Sequence, residues 1–238
     1  MALGPSPHIP GLSMSYSRTL VCFANSRKTS GRCVAGKEFR NGKPSEWFRP
    51  VSSRVSHEVS EEERRYQDGR DPQLLEILTV PCLSPQPLPH QQENHLLDPG
   101  LYWQREGTLP WVDVKDWLDG PPSLWGNGQS SYAFLNNRVP DGYEDGTSLY
   151  LVSVDSLRVL VGPKSTDYPK RIVRGEFIYQ GATYRMSITD PVLERHYLNG
   201  NDGQYTIEKA VLCVSLGDPF QGFFYKLIAA VLYEQRFR

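Results

Sequence analysis

Hydrophobic residues recur along this chain in short runs, several of which alternate with polar residues at a period of two. This period is typical of β-strands because successive side chains of a strand point to opposite faces. In the first half the pattern predicts strands at 19–24, 32–39, 46–52 and 74–83. In the second half it predicts strands at 148–154, 157–161, 171–179, 182–189, 210–216 and 225–233. A mainly β fold follows.

Three short motifs predict how the strands are connected. Gln180-Gly181 separates two alternating runs and predicts a hairpin turn, since glycine accepts the positive φ that such turns need. Ser60 followed by Glu63 is the sequence of a helix capping box. Asp190-Pro191, directly after a predicted strand, predicts a turn.

One longer helix is predicted, over residues 108–119. Pro110 suits its first turn, and Gly120-Pro121 would end it. Three aspartates recur at every third residue and are expected to form a solvated helix surface: Asp113, Asp116 and Asp119.

The two halves of the chain resemble each other. Gly36 to Phe39 followed by Trp47 has a counterpart in Gly175 to Phe177 followed by Tyr184. A duplicated small β-barrel accounts for the repeat. The predicted domains are a disordered leader (1–14), a basic first small β-barrel (15–84), an acidic Pro-rich connector with a helix (85–147) and a second small β-barrel (148–238).

Charge is distributed unevenly, although the net charge of the chain is only −1. Residues 15–54 contain nine basic and two acidic residues, whereas residues 55–155 contain six basic and seventeen acidic residues. A local excess of this size in the first barrel indicates an anionic partner.

Sequence motifs for catalysis or for metal and cofactor binding are absent. The four cysteines form no Cys-x-x-Cys pair, and the chain has no phosphate-binding glycine loop and no Gly-x-Ser-x-Gly motif. We therefore expect neither a metal nor another cofactor, and no enzyme activity. Cysteines within apolar runs predict a reduced, cytoplasmic protein, and no apolar stretch is long enough to predict a membrane span.

Matching segments spread over nearly the whole chain point to one family. They lie at 20–28, 32–36, 47–52, 90–94, 102–103, 124–128, 188–191, 212–216 and 225–230. Together they resemble the bacterial dual OB domain proteins. The resemblance implies two OB-like barrels that bind nucleic acid, with a role in conflict between bacteria and phages or mobile elements.

Basic and aromatic residues of the first barrel are the main candidates for a binding groove. Single-stranded nucleic acid is bound by cations that follow the phosphates and by aromatic faces that stack on bases. The candidates are Arg27, Lys28, Arg32, Lys37, Trp47 and Arg49, with Arg171, Arg174, Tyr184 and Arg185 as weaker second-barrel counterparts. The alternative is that the aromatic residues belong to the core and the charges only solvate the outer strand faces.

A dense polar cluster follows the Pro-rich connector and comprises His90, Gln91, Glu93 and Asn94. A histidine and a glutamate three residues apart could perform acid–base chemistry or bind a metal. The alternative is a hydrogen-bonded loop that fixes the connector to a barrel.

Three functions are compatible with these features. The first is nucleic-acid binding without catalysis, with single strands favoured. The second is an adaptor that docks a larger ATPase or nuclease through exposed tryptophans, for which the candidates are Trp103, Trp111, Trp117 and Trp125. The third is a nuclease-like enzyme that uses the polar cluster.

Overall fold

The computed structural model describes residues 15–143, 146–164 and 169–237, so the leader predicted at 1–14 lies outside the described residues. Six strands form the first sheet: β1 (Tyr16–Lys28), β2 (Gly31–Arg40), β3 (Lys43–Val51), β4 (Glu76–Pro85), β5 (Asn94–Leu97) and β6 (Gln104–Thr108). Six more form the second: β7 (Arg138–Pro140), β8 (Leu149–Pro163), β9 (Arg171–Tyr179), β10 (Ala182–Ile188), β11 (Gly203–Phe220) and β12 (Phe223–Leu232).

Each sheet closes into a five-stranded barrel with the same strand order. In the first, β1 pairs with both β2 and β4, and the order is β1-β2-β3-β5-β4. In the second, β10 pairs with both β9 and β12. Counted around the barrel from its first strand, the order is β8-β9-β10-β12-β11. The third and fifth strands of each barrel run parallel, and all other pairs within the barrels are antiparallel. The predicted mainly β fold with two OB-like barrels is confirmed.

A short helix joins the third and fourth strands of each barrel. Helix α1 (Glu61–Arg64) begins with the predicted capping box, in which Ser60 and Glu63 bond to each other's backbone N–H groups. Helix α2 (Pro191–Leu198) was not predicted. Asp190 is its N-cap and Pro191 its first residue, so this pair starts a helix where the sequence predicted a turn.

Residues 108–119 do not form the predicted α-helix. Thr108 ends β6, and only Trp111–Trp117 is helical, as a 3₁₀ helix. Side chains three residues apart lie on one face of such a helix, and Val114 and Trp117 are accordingly both buried. Packing of this face, rather than helix propensity, determines the conformation.

The segment predicted as a connector, 85–147, also contributes strands to both sheets. β5 and β6 belong to the first sheet, and β7 pairs with β12 in the second. These strands have three to five residues, too few to show a clear alternation in the sequence.

The internal repeat is real at the level of the fold, but its register differs from the sequence alignment. Gly36 lies opposite Phe48 in the first barrel, and Gly175 lies opposite Met186 in the second. Trp47 therefore corresponds to Arg185, not to Tyr184. A Cβ on Gly36 would lie 1.9 Å from the carbonyl oxygen of Val21, so this strand position excludes larger residues.

Apolar residues form three clusters: one inside each barrel and one between the barrels. Val21 and Phe23 of β1 and Ala35 of β2 belong to the third cluster, together with Leu151 and Cys213 of the second barrel. A backbone hydrogen bond of 2.8 Å from Arg27 N to Thr189 O also joins the barrels.

Candidate nucleic-acid interface

The outer face of the first barrel is largely covered. Phe23 and Phe39, on β1 and β2, both pack against Trp117 of the 3₁₀ helix, with ring centres 5.5 and 6.0 Å apart. Val21 and Ala35 are fully or almost fully buried in the contact with the second barrel. OB barrels bind oligonucleotides on the face of their second and third strands, and here packing covers much of that face.

Lys37 and Trp47, two residues of the predicted groove, contribute to this cover. Lys37 Nζ donates hydrogen bonds of 2.6 Å to both Trp117 O and Asp119 Oδ1. Trp47 Nε1 donates to Asp119 Oδ2 at 3.2 Å, and Leu151 N donates to the same oxygen at 2.8 Å. Asp119 thus links both barrels to the 3₁₀ segment, and its predicted place on a solvated helix surface is wrong.

Arg49 is buried, with 4% of its side chain exposed. Its Nη2 donates to Ser148 Oγ at 2.8 Å and lies 2.9 Å from Glu93 Oε1. Burial is the largest influence and lowers the pKa of Arg49, but Glu93 together with Asp218 and two cysteines outweighs it and raises the pKa above its usual value. The guanidinium is therefore engaged inside the protein and does not reach a phosphate on the surface.

The polar cluster of His90, Gln91, Glu93 and Asn94 does not converge on a single cleft. Glu93 faces Arg49, and Asn94 Nδ2 donates to Gln91 Oε1 at 3.1 Å. The His90 ring stacks on Phe224 of the second barrel at 4.6 Å, and burial lowers its pKa. Of the four, Gln91 alone lines the 250 Å³ cleft that contains Arg49. These contacts favour the structural alternative.

The three remaining basic residues of the predicted groove, Arg27, Lys28 and Arg32, do not lie together with Lys37 and Arg49. Arg27 forms two 3.0 Å hydrogen bonds with Glu194, and Lys28 lies 3.0 Å from Asp218. Both partners belong to the second barrel. Arg32 lines a separate cavity. The predicted single groove is therefore not present: Lys37 and Arg49 are buried, and Arg27 and Lys28 are paired across the contact between the barrels.

The second barrel presents a basic outer face on β8, β9 and β10. Arg158, Glu176 and Arg185 lie side by side on these strands. Glu176 accepts hydrogen bonds from Arg158 Nη1 at 2.5 Å and from Arg185 Nε at 2.8 Å. Half of the Arg158 side chain and 30% of the Arg185 side chain are exposed.

Two further residues of β9 extend this face. Arg174 precedes Glu176 by two residues, so it lies on the same side of the strand. Its Nε has no hydrogen-bond partner among the described residues, and burial followed by the charge of Arg185 lowers its pKa. Ile178, two residues after Glu176, is 66% exposed and lines a 480 Å³ depression with Arg158 and Glu176. We call Arg158, Arg174, Glu176, Ile178 and Arg185 the arginine face.

Comparison with known families agrees with the two-barrel geometry. The sequence model of the dual OB-containing domain matches residues 18–231. The chain belongs to this family. Neither a curated protein nor a solved structure matches the chain.

In this dual OB domain the two barrels differ in which face is accessible. β9 and β10, the second and third strands of the second barrel, present the arginine face to solvent. The β11–β12 hairpin corresponds to the loop between strands four and five, which OB barrels also use for binding, and its Phe220 is 62% exposed.

The sequence-based prediction found only part of this interface. Arg185 belongs to the arginine face, but Tyr184 is buried, stacks on Phe177 and donates its hydroxyl to Asn127 Oδ1 at 2.8 Å. Arg174 was among the predicted second-barrel counterparts, whereas Arg158 was missed. The signal that could have found Arg158 is its position between the buried Leu157 and Val159, which places it on the outer face of the strand.

Metal clusters and membrane-spanning helices are both absent from the described residues of the dual OB domain. Within these ranges, no group of three or more His, Cys, Asp or Glu residues could hold a metal ion. No helix in the same part of the chain is both long and apolar enough to cross a membrane.

Proposed function

We propose that this protein binds nucleic acid, preferably single-stranded, through the arginine face of its second barrel, and that it does so without catalysis. The observation that carries the proposal is that Arg158 and Arg185 both bind Glu176 on the outer face of the first three strands of an OB barrel, with Arg174 on the same side of the middle strand. Three arginines against Glu176 and Asp155, which lines the same depression, leave a local charge of about +1, which suits a phosphate backbone.

The arrangement of the face supports a single strand as the ligand. Arg158 and Arg185 are partly exposed and held in place by Glu176, so little side-chain entropy is lost when they bind phosphate. Ile178 offers an apolar surface beside them, and Phe220 offers a ring on which a base could stack. Bases reach such groups only where they are not already paired and stacked in a duplex.

A fluorescence-anisotropy titration with labelled single- and double-stranded DNA and RNA over a salt series tests the proposal. We expect saturable binding that weakens with salt, because binding releases counterions condensed on the nucleic acid. The variant Arg174→Gln/Arg185→Gln should bind about tenfold more weakly, since each arginine contributes a charge-assisted hydrogen bond. Its salt slope on a single strand should fall by about 0.7 for each phosphate that the variant no longer neutralises.

The matched control is Lys43→Gln, which removes one positive charge from an exposed residue of the first barrel. It should leave affinity and salt slope nearly unchanged. Because the control removes one charge and the arginine variant two, a control that loses about half as much binding free energy as the variant would show a nonspecific charge effect. Absence of binding at low salt would refute the proposal.

The adaptor hypothesis loses its main support. Trp103, Trp117 and Trp125 are buried, and Trp111 stacks on Phe237 at 5.9 Å. Three of the four proposed docking anchors are therefore closed to a partner, and Trp111 is half-buried.

A bacterial phage-defence role and a cytoplasmic location stay predictions that come from the family resemblance and the cysteine pattern. We propose the defence role as the biological setting of nucleic-acid binding. Plaque counts on bacteria that express the protein or its Arg174→Gln/Arg185→Gln variant test it. Protection by the normal protein, and none by the variant, is the expected result.

A further inference from the structure

A second basic site lies in a cavity of about 200 Å³ between the two barrels, away from the arginine face. Arg32 lines it from β2 of the first barrel, and Arg195 lines it from α2 of the second. Ala229 and Ala230 of β12 form part of its wall. Since one water molecule takes about 30 Å³ in the liquid, the cavity has room for a small polyatomic ion.

Both carboxylates that line the cavity are already neutralised. Asp190 is almost fully buried, and its two oxygens accept hydrogen bonds from Arg236 Nη1 at 2.5 Å and Nη2 at 3.1 Å. The same carboxylate caps α2 by accepting from Val192 N and Leu193 N. Asp71 accepts from Arg64 Nε at 2.5 Å.

Arg32 and Arg195, in contrast, form no side-chain hydrogen bond or ion pair with any residue in the described part of the chain. Four guanidinium groups thus surround two carboxylates, which leaves a local charge of about +2. The pKa of Arg32 is lowered, first by burial and then by the like charge of Arg64; Asp71 acts in the opposite direction, and Arg195 and Arg27 lower the pKa further. This repulsion is unfavourable in the empty cavity and would be relieved by an anion.

We propose that the cavity binds a phosphomonoester group between the guanidinium groups of Arg32 and Arg195. A phosphomonoester carries a charge of about −1.5 to −2 at neutral pH, which matches the excess positive charge. Guanidinium groups bind the oxygens of phosphate in a bidentate manner, and three terminal oxygens allow both arginines to bind at once. A carboxylate has only one charge and two oxygens, and would leave one arginine unmatched.

The site joins the barrels through the ligand, because each barrel supplies one of the two arginines. This site shares no residue with the arginine face, so it does not depend on the proposed nucleic-acid interface. A phosphomonoester can come from the end of a nucleic-acid strand or from a free mononucleotide, and inorganic phosphate offers the same charge and terminal oxygens without the ester.

Isothermal titration calorimetry with inorganic phosphate, at constant ionic strength, tests the site. We expect saturable binding by the normal protein and at least a tenfold weaker affinity in both Arg32→Gln and Arg195→Gln. Lys43→Gln, with the same loss of charge at an exposed position, should bind phosphate as the normal protein does. Arg195 is exposed on α2, so its substitution tests the site even where Arg32→Gln perturbs folding.

Absence of saturable phosphate binding would overturn the proposal, as would binding that neither arginine substitution weakens. Oligonucleotides with a 5′-phosphate or a 5′-hydroxyl, compared with a 5′-mononucleotide, then separate the sources. If the 5′-phosphorylated strand binds more tightly than both the 5′-hydroxyl strand and the mononucleotide, the ligand is a strand end. If the mononucleotide binds as tightly as the 5′-phosphorylated strand, the ligand is a free nucleotide. The Arg174→Gln/Arg185→Gln variant should keep its phosphate binding, so failure at one site is distinguishable from failure at the other.

Discussion

At the scale of single residues, a buried charge makes stability depend on pH. Lys226 lies inside the second barrel, where its Nζ donates to Gly126 O at 2.6 Å and is 5.3 Å from the centre of the Tyr184 ring. Burial lowers the pKa of Lys226 from 10.5 to about 7. In the unfolded chain the ammonium group is hydrated, and its pKa returns to the ordinary value.

The unfolded chain therefore binds more protons than the folded protein between about pH 7 and pH 10.5. Within this window the free energy of unfolding rises with pH. Below about pH 7 Lys226 is charged in the folded protein too, and burial of this charge lowers the free energy of unfolding by its full amount. We expect Lys226→Met to remove this dependence. The free energy of unfolding of the variant, relative to that of the normal protein, should be on the order of 2 kcal/mol higher at about pH 6 than at about pH 9.

Urea unfolding at both pH values measures this difference. Lys43→Met is the control, because its side chain is exposed and its substitution should shift stability equally at both pH values. A gain for Lys226→Met that is the same at both pH values would contradict a lowered pKa.

At the scale of elements, the pair of Arg49 and Glu93 joins β3 to the segment before β5 and to Ser148, the residue before β8. Removing one member of a buried ion pair leaves the other charge without a partner, which costs about 3–5 kcal/mol. Arg49→Met should therefore destabilise the protein by about this amount.

The double variant Arg49→Met/Glu93→Gln should be more stable than Arg49→Met alone, because no unpaired charge is then buried. Chemical unfolding of the single and double variants completes a double-mutant cycle. If the double variant loses the sum of the two single effects, the residues do not interact as described.

The elements differ in how far the sequence predicted them. Long strands such as β9 and β10 were predicted closely, because their alternation of apolar and polar residues is regular. Helix α2 was missed because Asp190-Pro191 suits both a turn and a helix start, and the residues that follow are not strongly amphipathic. The site was harder to predict, since burial of Lys37 and Arg49 depends on Asp119 and Glu93, which are distant in sequence.

At the scale of the whole molecule, the apolar cluster between the barrels should make them unfold together. Leu151 is fully buried in this cluster, whereas Leu157 is fully buried inside the second barrel alone. Replacing a buried leucine by alanine costs about 2–5 kcal/mol. If the contact couples the barrels, either Leu151→Ala or Leu157→Ala should lower the stability of both barrels by a similar amount.

Hydrogen exchange measured by mass spectrometry separates coupled from independent unfolding, because peptides from β1 and from β11 report on different barrels. Coupled barrels should show one opening free energy for the slowest amides of both strands, and Leu157→Ala should lower it in both. If Leu157→Ala leaves the protection of β1 unchanged, the barrels unfold independently. Coupled unfolding would mean that a phosphate bound between Arg32 and Arg195 stabilises the arginine face as well, although the two sites share no residue.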